Sequence, residues 1–260
     1  PALKAGITIE GVGEVLFEGT LSGTLEDLTL KNIHIKGSNA QRWAYAKGDL
    51  VFENVTFEAT GVYALHFDGI TAGATLLYKD CTIIGWAAMS GSPASCVFDG
   101  CTIKGNGTYG LIRTYFNATL TNCTFDVANV NTTDKYQDGI HAVEGAKVTV
   151  NNCTNVNGDM KDIVNVHANS VVTVNGVEIK NAAKIGDTYY ATFADAIAAA
   201  QANDEVKILV AGTYKVPAGK NITITGAVDG VVFDNIGAHN MGGASMTFNN
   251  VTFNYAANST

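Results

Sequence analysis

The chain has 260 residues and a formal net charge of −8, with 16 Lys and Arg against 24 Asp and Glu. Only Arg42 and Arg113 are arginines, so no basic stripe exists to neutralise phosphates; nucleic acid is excluded as a partner and anionic membrane surfaces are disfavoured. No apolar run approaches the roughly 20 residues a membrane-spanning helix needs, so membrane insertion is not expected.

The chain opens on Gly-punctuated alternation, Ile7-Thr8-Ile9 and then Val15-Leu16-Phe17. From residue 28 one pattern recurs: alternating apolar positions, a turn-permissive residue, then two more alternating apolar positions. Its members are Leu28-Leu30-Ile33-Ile35, Leu50-Phe52-Val55-Phe57, Leu76-Tyr78-Cys81-Ile83, Cys96-Phe98-Cys101-Ile103 and Ala118-Leu120-Cys123-Phe125. Val148-Val150-Cys153, Val172-Val174-Val177-Ile179 and Met246-Phe248-Val251-Phe253 complete the set of eight stretches. The residue before each anchor is Asn32, Asn54, Asp80, Gly100, Asn122, Asn152, Gly176 or Asn250, all types that enter left-handed backbone cheaply.

Anchors from Ile33 to Val177 fall 22, 26, 20, 22, 30 and 24 residues apart, a fixed unit with insertions at its corners. The internal period of two means strands. Stacked in parallel about 4.8 Å apart, such units form an all-β, right-handed parallel β-helix. Two-residue hairpin signals are scarce, which argues against a sandwich or propeller.

Stacking gives the cysteines a place. Cys81, Cys101, Cys123 and Cys153 share one inward position on consecutive coils, and Cys96 takes another. With no CxxC pair of zinc spacing, they read as small buried apolar side chains, and neither a metal nor a cofactor is expected. The asparagines before the anchors read as a stacked amide ladder. Threonines after the anchors, Thr56, Thr82, Thr102, Thr124, Thr154 and Thr252, point outward. Coil length varies too much for a regular ice-binding array, so β-propensity on a solvated sheet explains them.

Residues 181–260 break the pattern. One short capping α-helix is expected near residues 192–202, with Thr192 as its cap, Asp195 in the capping-box position, and Phe193, Ile197 and Ala200 on one face. Val206 to Val210 reads as a strand. Ile222-Thr223-Ile224 and Val231-Val232-Phe233 then repeat the opening of the chain. The expected organisation is therefore 1–180, β-helix coils, and 181–260, a helix-bearing cap with the opening coils of a second run.

The helix, the Val206-Lys207-Ile208-Leu209-Val210 strand, Gly212-Thr213-Tyr214 and the Ile222-Thr223-Ile224-Thr225-Gly226 segment resemble the N-terminal capping region of pectin-lyase-like right-handed β-helix proteins. The coils Phe52-Glu53-Asn54-Val55-Thr56-Phe57 and Phe98-Asp99-Gly100-Cys101-Thr102-Ile103 resemble repeats in large cell-surface proteins of Gram-positive gut bacteria. That resemblance implies the fold and an extracellular or cell-surface location, but no one activity, since the superfamily spans lyases, hydrolases, adhesins and phage tail proteins. A cap that follows coils is expected in a piece of a tandem array, or in a subunit whose C-terminal cap covers the next copy head-to-tail.

Chemistry is expected on the variable strand of each coil, which carries Tyr45, Tyr63 to Asp68, Trp86, Tyr109 to Tyr115, Asp138 to His141 and Asp162 to His167. Tyr63, Trp86, Tyr109 and Tyr115 are the carbohydrate-binding candidates, with weak binding of surface glycans in view. For an enzyme the candidates are Arg113, His66, His141 and Asp138. A lyase needs a base and a cation for a uronate carboxylate, and a hydrolase needs paired carboxylates. Asp68 and Asp138 precede glycine and read as turn residues. The expectation is a non-enzymatic structural or adhesive module, with a polysaccharide lyase or glycoside hydrolase as the alternative.

Overall fold

The structure, a computed structural model, describes residues 5–19, 23–37, 40–130, 139–167, 169–186, 188–234 and 244–254, side chains of 40–44 excepted. The chain divides into two compact units, residues 1–179 and 180–260, each with its own apolar core. Both are built from parallel β-coils, as the repeat requires.

In the first unit each coil lays one strand on each of three faces. On the first face the inward residues Ile9, Leu30, Phe52, Tyr78, Phe98, Leu120, Val150 and Val174 pair in unbroken parallel register. On the second face the matching ladder is Phe17, Ile35, Phe57, Ile83, Ile103, Phe125 and Asn155. Apart from Phe17, which stays 43% exposed, and the polar Asn155, these side chains belong to a single elongated apolar core. Its centre is aromatic. Phe52 and Tyr78 stack at 5.0 Å, and Tyr78 and Phe98 at 4.5 Å with rings 6° from parallel.

The corner between these faces shows why Asn, Asp and Gly precede each anchor. Asn32, Asn54, Asp80, Asn122 and Asn152 all hold φ between 51° and 55°, and Gly100 holds 65°. One left-handed residue bends the chain while leaving its N–H pointing along the helix axis. Asn54 N–H accordingly donates to Lys79 O at 2.9 Å, and Asp80 N–H to Asp99 O at 2.8 Å. The amide ladder has the rung Asn54 Nδ2 to Asn32 Oδ1 at 2.9 Å, but Asp80 and Gly100 interrupt it. Backbone conformation is what the position selects for.

The cysteines stack as the spacing requires. Thr102 N–H donates to Cys81 O, Thr124 N–H to Cys101 O and Thr154 N–H to Cys123 O, so the four anchors occupy successive rungs. All five thiols are free, and Cys153 alone is half-buried. Cys101 Sγ donates to Tyr78 O at 3.3 Å and Cys123 Sγ to Thr121 O at 3.3 Å. The hydrogen bond with the Cys101 thiol, together with burial, pushes Cys123 up to about 12. Burial likewise pushes Cys96 up. Cys96 and Cys123 are thus packing groups, not thiolate nucleophiles, whereas the hydrogen bond with Cys101 lowers the Cys81 thiol.

Outside the helix, Thr56, Thr82, Thr102, Thr124 and Thr154 stand in one register rank. A second outward rank, Glu10, Lys31, Glu53, Lys79 and Asp99, alternates in sign along the axis. Lys31 and Glu53 pair at 2.7 Å. Such exposed pairs add little stability.

One expected coil is not one. Val172-Val174 and Val177-Ile179 pair antiparallel, Val174 opposite Val177. Here two consecutive residues are left-handed, Asn175 at φ 48° and Gly176 at φ 79°. At this corner two in succession make a hairpin turn that reverses the chain, whereas one carries it on to the second face; Glu144 and Gly145, left-handed in succession at another corner, lie within the continuing coils.

In the second unit Ala183–Ile185 pairs antiparallel with both Thr188–Tyr190 and Glu205–Ile208. Parallel coils resume with Glu205–Ile208, Ile222–Gly226 and Met246–Asn249 on one sheet. Gly212–Lys215, Val231–Asp234 and Thr252–Asn254 form the other. The helix runs Phe193–Ala199, shorter than expected, with Thr192 Oγ1 accepting from Asp195 N–H at 3.1 Å. Lys220 Nζ donates to Ala198 O and Ala200 O, a cation at the helix C-terminus where free carbonyls need one. Among the described residues no helix is long and apolar enough to cross a membrane.

Candidate functional site

The third face of the first unit carries the variable strands. Its register aligns one outward rank along the axis. Arg42 pairs with His66, His66 with Ala88, Ala88 with Arg113, Arg113 with His141 and His141 with Asn165. Both arginines of the chain therefore fall on one rank, together with two of its five histidines. From His66 onward alternation makes this rank outward, because Phe67, Met89, Thr114 and Ala142 beside it are buried.

Over the middle of this rank lies an open cavity of about 310 Å³. Tyr63, His66, Trp86, Arg113 and Tyr115 line it, with Phe67, Asp68, Ala88, Met89 and Ser90. The small Ala88, between His66 and Arg113 in register, leaves the space that a longer side chain would fill. Arg113 lies over the Tyr115 ring, 4.9 Å from its centroid, which fixes a guanidinium at the cavity edge. Across from it His66 Nε2 and Asp68 Oδ1 are 2.7 Å apart.

Asp68 is not a turn residue. It stands exposed within the strand Thr56–Ile70, and the glycine after it serves another purpose. A Cβ on Gly69 would come 3.2 Å from the Tyr45 ring, so glycine makes room for that side chain. The Asp68 carboxylate meets the His66 imidazole and orients it. Ser90 Oγ donates to Asp68 O at 2.7 Å and ties the next coil to the same point.

The wall of the cavity is aromatic. Tyr63 and Trp86 stack at 5.1 Å and 21°, Trp86 packs on Tyr109 at 4.7 Å and 53°, and Tyr63 meets the His66 ring at 4.1 Å. Trp86 is only 5% exposed, so it backs the wall, while Tyr63 is half-buried. Tyr109 does not line the cavity; it closes the stack from the next coil.

The remaining enzyme candidates separate. His141 neighbours Arg113 in register but is buried, 8% exposed. Burial, then the positive charges of Arg113 and His167, lowers its pKa to about 4. It is neutral near pH 7 and lies outside the cavity lining. Asp138 falls outside the described residues. Asp162 sits exposed in a 3-10 turn, Met160–Ile163, not in the strand expected there. Among the described residues no group of three His, Cys, Asp or Glu is arranged to hold a metal ion.

One residue of the site carries no sequence signal. Asn106, in a Gly-Asn-Gly run that reads as an ordinary turn, donates from Nδ2 to Ala59 O at 2.9 Å and to Gly61 O at 2.5 Å. Comparison of the chain with protein-family models, with curated proteins and with solved structures gave no match.

Proposed function

We propose that the chain is a structural or adhesive β-helix module of an extracellular bacterial surface protein, and that its third face holds glycans weakly. The observation that carries the reading is the cavity itself. It is open, with Tyr63 and Tyr115 in its lining for a sugar ring and the Arg113 guanidinium and His66–Asp68 pair for hydroxyl or carboxylate groups. The resemblance of the coils to bacterial surface repeats and of the helix region to pectin-lyase-like caps supports the same setting. Tandem continuation or head-to-tail contact with another copy belongs to this proposal, since uncovered parallel edges template further strands.

The enzyme reading has one observation in its favour. A lyase needs a base beside a cation that holds the substrate carboxylate, and His66 oriented by Asp68 stands across the cavity from Arg113. Glycoside hydrolysis is less well served, because Asp68 is the one carboxylate among the lining residues and two are required.

Two measurements decide between them. Affinity electrophoresis against neutral and uronate-rich polysaccharides should show retardation by the latter, reduced about tenfold by Arg113→Ala, as expected for loss of a charge-assisted bond. A parallel screen for unsaturated uronate and reducing ends should find no turnover. Turnover that Arg113→Ala abolishes would instead establish the lyase reading, and no retardation by any polysaccharide would remove glycan binding.

A further inference from the structure

The corners between the second and third faces differ in length from coil to coil. In register, Glu58 pairs with Ile84 and Tyr63 with Trp86, so four residues in one coil match Gly85 alone in the next. Lys104 pairs with Ile84 and Ile112 with Ala87, so the following coil is again longer. The middle coil therefore has a notch at Gly85, overhung by a longer corner on each side.

Asn106 fills that notch. Most long-range side-chain hydrogen bonds of the first unit connect neighbouring coils, 20 to 30 residues apart, as Asn54 does to Asn32. Asn106 reaches 47 and 45 residues back, to Ala59 O and Gly61 O, passing over the intervening coil. Its Oδ1 accepts from Thr108 Oγ1 at 2.7 Å, which sets the amide with its NH₂ toward the two carbonyls. Gly85 makes the passage possible. It holds φ 119°, and a Cβ there would lie 3.0 Å from Asn106 Nδ2 and 3.2 Å from Ala59 Cβ.

The three corners joined in this way are the ones from which the aromatic wall springs. Tyr63 lies two residues after Gly61, Trp86 directly after Gly85, and Tyr109 three after Asn106. We infer that Asn106 is the positioning residue of the site. By tying the outer two corners across the middle one, it sets the spacing at which Tyr63, Trp86 and Tyr109 stack. The inference deepens the glycan-binding reading and rests on it for its consequence in binding, but not for its effect on the rings.

The test is spectroscopic first. In a Trp43→Phe background the emission and near-ultraviolet dichroism report Trp86. Asn106→Ala should weaken the Tyr–Trp dichroic band by at least half and raise acrylamide quenching of Trp86 about twofold or more, from the roughly buried toward the exposed range. The far-ultraviolet β-spectrum should stay unchanged. Asn54→Gly, which removes an amide of the same kind from another corner, should leave Trp86 as it was. Gly85→Ala, which displaces the amide without altering it, should reproduce the Asn106→Ala spectrum.

Should both variants fail to fold, the wild-type protein still answers. The side-chain NH₂ of Asn106 should exchange with solvent far more slowly than that of an exposed Asn; free exchange overturns the inference. An unchanged Trp86 signal in folded Asn106→Ala overturns it as well, whatever polysaccharides do. A changed Trp86 signal with no retardation of wild type by polygalacturonate or dextran sustains the positioning role and removes the glycan reading. Where wild type is retarded, Asn106→Ala should weaken that retardation about tenfold while Asn54→Gly does not.

Discussion

His141 shows how position along a rank alters what one residue type does. It shares its register line with His66, yet the coil closes over it and holds it neutral down to about pH 4. The unfolded chain would protonate it near 6.5, so between these values the unfolded state binds more protons. Its contribution to stability is therefore complete above about 6.5 and falls as pH drops toward 4. The urea midpoint should decline across that window, by an amount equivalent to roughly 3 kcal/mol at most, and His141→Gln should flatten the decline. An NMR titration placing the His141 imidazole near 6.5 would refute the burial argument.

Asn106 and Asp68 make the complementary point. Asp68 ends the variable stretch Tyr63 to Asp68 but reads locally as a turn residue, because Asp-Gly is what turns look like, and Asn106 stands in a Gly-Asn-Gly run with no signal of its role. Their roles depend on residues of other coils, and nothing in the local sequence names those residues.

At the scale of the element, the coil corner is the unit of design. At the corner between the first two faces one left-handed residue continues the helix, and a second in succession turns the chain back as a hairpin. Asn122→Ala, at φ 55°, should lower stability by about 1 kcal/mol, whereas Asn122→Gly should lower it far less or not at all. Denaturant unfolding of the two variants checks this, and equal losses would show that the side-chain amide, not the backbone, is what the corner needs. Gly100→Ala is expected to cost more than Asn122→Ala. A Cβ there would collide with Asp80 Oδ1 at 2.4 Å in addition to the strain of φ 65°. The repeat unit was legible because its strand alternation and corner residues lie two to five apart, and its recurrence every 20 to 30 residues placed the inward cysteines at one position. The hairpin at Asn175-Gly176 was misread as a further coil, since its apolar spacing matches the repeat; only the conformation of the second residue distinguishes them.

For the molecule as a whole, the open question is what meets the outermost strands. Leu16 and Phe17 on the first coils remain 52% and 43% exposed. If head-to-tail contact occurs, light scattering should show mass rising with concentration, and replacing Phe17 with Lys should hold the chain monomeric. A constant monomer mass over the whole range would remove self-association from the proposed function. The two units have separate apolar cores, and an antiparallel pairing lies on either side of residue 180 in the sequence, Val171–Val174 with Val177–Ile179 and Ala183–Ile185 with Thr188–Tyr190.

The sequence by itself determined the solenoid, because strand period, left-handed corner residues and like-with-like stacking are all written locally and repeated. It also determined which strand varies, and hence where chemistry has room to appear. Tertiary structure alone decided the register of the third face, and with it the meeting of Arg113, His66 and Asp68 around Ala88 and the burial of His141. Insertions of unequal length at the corners set that register, and their effect is felt only once neighbouring coils are stacked and their backbone hydrogen bonds are satisfied.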